Sequence, residues 1–274
     1  MRHAVALGLV QGPTELIPIS SSGHVVLVPV LLGWPYPSLD PALRKGFEVA
    51  LHLGTAAGLA VALRREVMAV VGGLDRRRLY DMVLGAAPAT AAGLALRHPV
   101  EGRLSIPRRV AAAQVVAGAA LLLADRRPAD REESDWRPAD AVAMGLAQAA
   151  ALAPGVSRGG AALTALRLRR MDRRSASVRS RHAAAPVVLG AAVLEAIRLR
   201  GGIPTPLLRS FAAGAGAAFC STIAAADLVP RMDRARTYAP LALYRMVLGG
   251  VALHRLERSR RKVPRPLDRL QWRA

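Results

Sequence analysis

Residues 6–27 read Ala6-Leu7-Gly8-Leu9-Val10-Gln11-Gly12-Pro13-Thr14-Glu15-Leu16-Ile17-Pro18-Ile19-Ser20-Ser21-Ser22-Gly23-His24-Val25-Val26-Leu27. Most of this is apolar enough for a membrane helix, yet Pro18 breaks a helix and three hydroxyls follow it. Irregular backbone at membrane depth is tolerated only where it is buried in protein or lines a water-filled cavity. A second stretch of the same kind is Ala143-Met144-Gly145-Leu146-Ala147-Gln148-Ala149-Ala150-Ala151-Leu152-Ala153-Pro154-Gly155-Val156-Ser157-Arg158-Gly159-Gly160-Ala161-Ala162-Leu163-Thr164. Side by side, Gly8, Leu9 and Gln11 match Gly145, Leu146 and Gln148. Pro18 and Gly23 match Pro154 and Gly159 at the same mutual spacing. Paired Pro/Gly-interrupted apolar segments in two halves of a chain point to a site at the repeat interface, built from broken helices.

The rest of the chain agrees with a membrane setting. Its 274 residues include 39 Lys+Arg against 19 Asp+Glu, a net charge of +20, and are 52% hydrophobic but only 4% aromatic. So basic a chain first suggests nucleic acid. The arginines, however, fall in clumps, at Arg64-Arg65, Arg76-Arg77-Arg78, Arg167 to Arg181 and Arg255 to Arg273, separated by uncharged apolar runs. That layout is polytopic with positive loops, and no nucleic-acid partner is expected. The uncharged runs are 16–39, 49–63, 82–96, 110–124, 141–157, 183–194, 210–226 and 238–254, the last broken only by Arg245. With flanking arginines snorkelling to the headgroups, they predict about eight spans. Small residues, as in Leu53 to Gly58 and Ala212 to Ala217, predict closely packed helices. The absence of period-two alternation argues against a barrel. No cleavable leader pattern is seen at the N-terminus, and the single Cys220 excludes an internal disulfide or a cysteine zinc site. The expected architecture is a single membrane domain over 1–274. Its repeat halves lie near 1–124 and 138–254, joined by a polar connection at 125–137 and followed by a basic tail at 255–274.

Several residues carry chemistry. Gln11 and Glu15 are four apart and share a helix face. An intramembrane carboxylate is costly, by about 2.5–3.5 kcal/mol on the lenient scale, so it marks a site, the alternative being a hydrogen bond to a neighbouring helix. Ser20, Ser21, Ser22 and Gly23 after Pro18 form a turn able to present N–H groups to a phosphate, or simply a helix N-cap. Ser21 and His24, three apart, are spaced for imidazole to meet hydroxyl. In the second loop, with Gly155 and Ser157, Arg158 ends an uncharged run; its fork suits a phosphate or diphosphate, or it snorkels. Arg167 to Arg181 reads as a cytoplasmic loop. Glu48 enters an apolar helix and either buttresses the site or pairs with a loop arginine. The carboxylates from Asp130 to Asp135 read as solvated.

These residues resemble the undecaprenyl-diphosphatase, or bacitracin-resistance, family. The resemblance is carried by Gln11 to Glu15, by Pro18 to His24, by Phe47-Glu48-Val49 with Leu53-Gly54, and by Pro154 to Gly160. It implies an all-α polytopic integral membrane bundle with an inverted repeat and two re-entrant helix pairs, multi-pass in the bacterial plasma membrane. It also implies hydrolysis of undecaprenyl diphosphate to the monophosphate, recycling the carrier for cell-wall synthesis, with Mg²⁺ or Ca²⁺. By the same resemblance Glu15 and Gln11 hold the cation. Ser21 and His24 supply nucleophile and base, in either assignment. Arg158 clamps the diphosphate, with Ser20, Ser22, Ser157 and Gly155 beside it. Membrane lipids and a second copy of the chain are the other expected partners. The chain departs from the family at Gln11, often Glu; at Gly159 and Ala162, commonly Ser and Thr; at His52, usually Gln; and at Ser175 to Pro186, usually apolar and aromatic. The losses at Gly159 and Ala162 keep a second reading open, a non-hydrolytic paralogue that binds or translocates a polyprenyl phosphate.

Overall fold

A computed structural model describes residues 1–95, 104–183, 190 and 205–262. Helices dominate, and the described residues contain no strand, only one isolated bridge between Arg131 and Met171. In chain order they are α1 (Arg2–Leu16), α2 (Ser21–Leu32), α3 (Pro41–Ala62), α4 (Arg64–Gly72), α5 (Arg76–Ala95), α6 (Pro107–Asp125), α7 (Pro138–Ala150), α8 (Arg158–Leu168), α9 (Thr205–Ala224), α10 (Leu228–Asp233) and α11 (Ala239–Lys262), with a further helical stretch at 173–183. The protein is an all-α membrane protein. By length and composition α6 and the Leu207–Ala224 part of α9 can each cross a bilayer, and α3 with α4, bent by 74° at Leu63, forms a third if the pair is one span. The expected number of about eight spans is not met among the described residues. One reason is that two of the uncharged runs are spent on short helices and the loops beside them. All of the 183–194 run except residues 183 and 190, and the tail past 262, lie outside those residues.

The breaks fall where the prolines and hydroxyls placed them. Helices α1 and α2 have 15 and 12 residues, and α7 and α8 have 13 and 11, all short of the roughly 20 that span a bilayer. Each pair is interrupted by a loop ending in a serine that caps the next helix. Ser20 Oγ accepts from Gly23 N at 3.2 Å, and Ser157 Oγ accepts from Gly160 N at 3.1 Å. This corrects the repeat register in the loops. Ser20 pairs with Ser157 and Gly23 with Gly160, by the same offset that relates Gly8 to Gly145 and Gln11 to Gln148. Pro18 therefore corresponds to Gly155 rather than Pro154, because the cap geometry, not residue identity, sets the register.

The two halves exchange partners. Helix α1 packs on α9, while its counterpart α7 packs on α5; α6 packs on α11. Small residues permit this. A Cβ on Gly8 would meet the Gly214 carbonyl, and one on Gly145 would sit 2.7 Å from the Gly85 carbonyl. Helix α3 also packs on α9, its N-terminus capped by Asp40, whose Oδ1 accepts from Ala42 N at 2.8 Å.

The basic run is not a free loop. Arg169 bonds Asp140, Arg173 Nε donates to Asp125 at 2.6 Å, and Arg181 forks onto Asp233 at 2.9 and 3.0 Å while reaching Glu66 at 2.8 Å. Carboxylates from several helices converge on it. Nor are the acidic residues of the connection simply solvated: Asp130 pairs with Arg170 at 2.8 Å and Glu133 with Arg179 at 3.0 Å.

Candidate active site

Both broken pairs empty their loops into one cavity of ≈ 920 Å³. Glu15, Ser20, Ser21 and Ser22 line it from the first loop, and Ser157, Arg158 and Gly159 from the second. Helix α3 adds Arg44, Lys45, Glu48 and His52, and then an apolar wall through Leu59 and Leu63. A polar centre thus grades into an apolar trough.

Glu15 is the hub. Its Oε2 accepts a hydrogen bond from Ser21 Oγ and one from Gln11 Nε2 at 3.4 Å. Its Oε1 lies 3.5 Å from Arg158 Nη2, and Oε2 lies 4.0 Å from His52 Nε2. Ser21 and Arg158 are the first residues of α2 and α8, equivalent positions in the two loops. The caps immediately before them carry unusual backbone: φ is 75° at Ser20 and 70° at Ser157. Such conformations cost roughly 1–3 kcal/mol each in a non-glycine residue and persist only where the surroundings impose them.

The structure does not bring His24 to Ser21. The imidazole is 2% exposed and outside the cavity wall; Nδ1 lies 2.7 Å from the Ser20 carbonyl and Nε2 2.7 Å from Tyr244 Oη. A carbonyl only accepts, so Nδ1 carries the proton, and Nε2 of the neutral ring accepts from the tyrosine. The three-residue spacing failed because the ring turns back to its own cap carbonyl and faces α11. The hydroxyl partner of Ser21 is Glu15. Gly155 also lies behind the cavity wall, at φ 98° with a Cβ position that would meet the Val110 carbonyl at 2.5 Å. Ala162 is wholly buried in a core cluster with Leu121 and Leu166, so a hydroxyl there is not directed at the cavity. Gly159 does line the cavity, with nothing within 4 Å of a Cβ.

Glu48 buttresses the wall: Tyr36 Oη donates to it at 3.4 Å, and its carbonyl holds His52 Nδ1 at 2.7 Å. Ser177, Ser180 and Arg181, from the stretch 175–186 expected to depart from the resembled pattern, also line the cavity; residues 184–186 of that stretch lie outside the described residues. Three side chains escaped the sequence reading, namely Tyr244, Arg245 and Gln114. Arg245 is fully buried beneath both loops, and Gln114 bonds it at 3.0 Å. The available signal was Arg245 itself, a lone guanidinium in an otherwise uncharged run, which is expensive unless used.

Comparison with known proteins identifies the family. The family model described as bacitracin resistance protein BacA matches residues 4–251. An undecaprenyl-diphosphatase of Geobacter sulfurreducens is 35% identical over 267 residues, covering 92% of this chain and 96% of the relative. Relatives of the same name from Gemmatimonas aurantiaca (35% over 266 residues; 90% of this chain, 94% of the relative) and Burkholderia mallei (33% over 258; 90% and 92%) match similarly. With matched residues reaching from the first helix to well inside the last, the chain belongs to the bacitracin resistance protein BacA family.

Proposed function

We propose that this protein is a multi-pass enzyme of the bacterial plasma membrane that hydrolyses undecaprenyl diphosphate to undecaprenyl phosphate and inorganic phosphate. Recycling that carrier serves cell-wall synthesis and confers bacitracin resistance. The observation that supports the reading best is the Ser21 hydroxyl bonded to Glu15, with Arg158 facing the same carboxylate, at the head of an apolar trough.

In this mechanism the diphosphate displaces Arg158 from Glu15 and takes its fork, as guanidinium geometry favours. Ser21 Oγ attacks the terminal phosphorus while Glu15 accepts its proton. The bond from that phosphorus to the bridging oxygen breaks, and undecaprenyl phosphate leaves with the oxygen. Water then attacks the phosphoserine phosphorus and the P–Oγ bond breaks; Glu15 returns its proton to Ser21 Oγ, and the water's two protons leave on inorganic phosphate as dihydrogen phosphate. Arg158 stabilises charge on the transferring group. His24 keeps α2 in place through Ser20 and Tyr244.

The donor set fits a hard divalent cation. Gln11 Oε1 is buried without a hydrogen-bond partner, and Glu15 and Ser21 add oxygens beside it. Mg²⁺ is commonly held by one or two carboxylates plus substrate phosphates. Glu15 and Gln11 would hold it, and when bound it supplies positive charge for the diphosphate. The test is phosphate release by purified protein in detergent with Mg²⁺ and undecaprenyl or farnesyl diphosphate. Release from the parent that is lost in Ser21→Ala supports the reading, and equal release from both overturns it.

A further inference from the structure

We infer that Arg245 and Gln114, which lie outside the reacting groups, form a cross-repeat brace that positions both catalytic loops; the inference rests on the site reading above. The carbonyls that precede the two capping serines occupy equivalent places in the two loops. In the first loop Pro18 O accepts from Arg245 Nη1 at 3.1 Å, and Ile19 O accepts from Gln114 Nε2 at 2.9 Å. In the second, Gly155 O and Val156 O accept from Arg245 Nη2 at 3.0 and 2.6 Å. Arg245 Nε donates to Gln114 Oε1 at 3.0 Å, closing the unit. Both side chains are wholly buried, Gln114 on α6 from the first half and Arg245 on α11 from the second.

Two physical needs converge here. A loop that breaks a helix inside the protein carries carbonyls with no helical donor, and where they are buried a side chain has to satisfy them. The brace serves two such carbonyls in each loop. It also fixes the peptide entering each serine of positive φ, since Ile19 O belongs to the peptide before Ser20 and Val156 O to that before Ser157. The guanidinium and the Gln114 amide it bonds therefore hold both caps together, and the next residues are Ser21 and Arg158. Gly160 leaves the space: a Cβ there would stand 2.7 Å from Arg245 Nη1 and 3.0 Å from Pro18 O. Among the described residues no carboxylate is bonded to Arg245, so its contacts are set by the fork's shape, and a lysine's point charge does not reproduce them.

The test is a double-mutant cycle between Arg245 and Arg158 on the full chain in detergent. It has two readouts, phosphate release from farnesyl diphosphate and calorimetric binding of inorganic diphosphate. In the parent, Arg158→Ala is expected to lower kcat about 100-fold. In an Arg245→Met background the same change should cost less than about 3-fold, because Arg158 is already displaced. Arg245→Lys should resemble Arg245→Met despite keeping its charge. Where Arg245→Met does not give monodisperse protein, Gln114→Leu, which leaves the guanidinium in place, carries the same cycle with Ser21→Ala. Additive effects, or a parental Arg245→Lys enzyme, overturn the brace. If the protein binds diphosphate without releasing phosphate, the hydrolase reading fails, yet a non-additive cycle in binding still supports the brace. Hydrolysis with an additive cycle does the reverse.

Discussion

Glu15 and Arg158 come from opposite halves of the chain, and the carboxylate Oε1 lies 3.5 Å from the guanidinium Nη2. The same carboxylate receives the Ser21 hydroxyl. Each half therefore contributes one member of a charge pair, Glu15 from the end of α1 and Arg158 from the start of α8.

Glu15→Gln should lower kcat for phosphate release by about 100-fold or more, the usual worth of a positioned base. Its melting temperature should stay near that of the parent. Steady-state kinetics beside a thermal melt would check this, and a fully active Glu15→Gln would remove Glu15 from the proton path.

His24→Asn keeps an N–H able to reach the Ser20 carbonyl but has no imidazole. Since both ring nitrogens of His24 are engaged away from Ser21, this variant should remain at least about 10-fold more active than Glu15→Gln. If it is as inactive as Ser21→Ala, the imidazole takes part in the chemistry directly.

Gly159→Ser puts a hydroxyl on the cavity wall in open space. One added hydrogen bond of about 0.5–1.5 kcal/mol predicts a KM lower by about 2- to 10-fold at unchanged thermal stability. Gly160→Ser, one position on, should misfold or lose activity, because its Cβ would meet Arg245 Nη1 at 2.7 Å. Comparing the two in one assay reads the difference.

Gln11→Glu places a second carboxylate one helical turn from Glu15. Where a divalent cation is held there, half-maximal activity should come at several-fold lower Mg²⁺, and chelator should abolish activity in both forms. A Mg²⁺ titration that does not shift would place the cation elsewhere.

Asp140 is fully buried, with Arg131 donating at 3.0 and 2.7 Å and Arg169 bonding the same carboxylate. Burial alone would raise its pKa, but Arg131, Arg169 and the Arg137 N–H outweigh burial and hold it below the ordinary aspartate value. A lowered folded pKa means that this stabilisation is complete above the ordinary value near about 4 and is lost as pH falls below it. Asp140→Asn should cost about 1.5–3 kcal/mol by removing the charge shared by two partly buried guanidinium groups. A melt at neutral pH that matches the parent would contradict this.

The candidate site was largely legible. Glu15, Ser21 and Arg158 stood out because carboxylate, hydroxyl run and guanidinium interrupt apolar sequence where each is costly. The repeat was legible too, though its loop register came out one residue off, since matching letters favoured Pro154 where the cap geometry selects Gly155. His24 was misplaced because spacing along a helix says which face a residue shares, and not which way its ring turns. The basic run looked like a loop because its partners, Asp125, Asp140, Asp233 and Glu66, are distant in sequence.

By itself the sequence determined that the chain is an all-α membrane protein with two broken helices bearing one site, because apolar length, helix-breaking prolines and costly polar residues are local properties. Tertiary structure alone decided which side chain the Ser21 hydroxyl meets, and that Arg245 and Gln114 bond both loops. Those depend on carbonyls and side chains brought together from α1, α6, α7 and α11. A carbonyl left free by a broken helix has no letter of its own, so only the fold shows which side chain satisfies it.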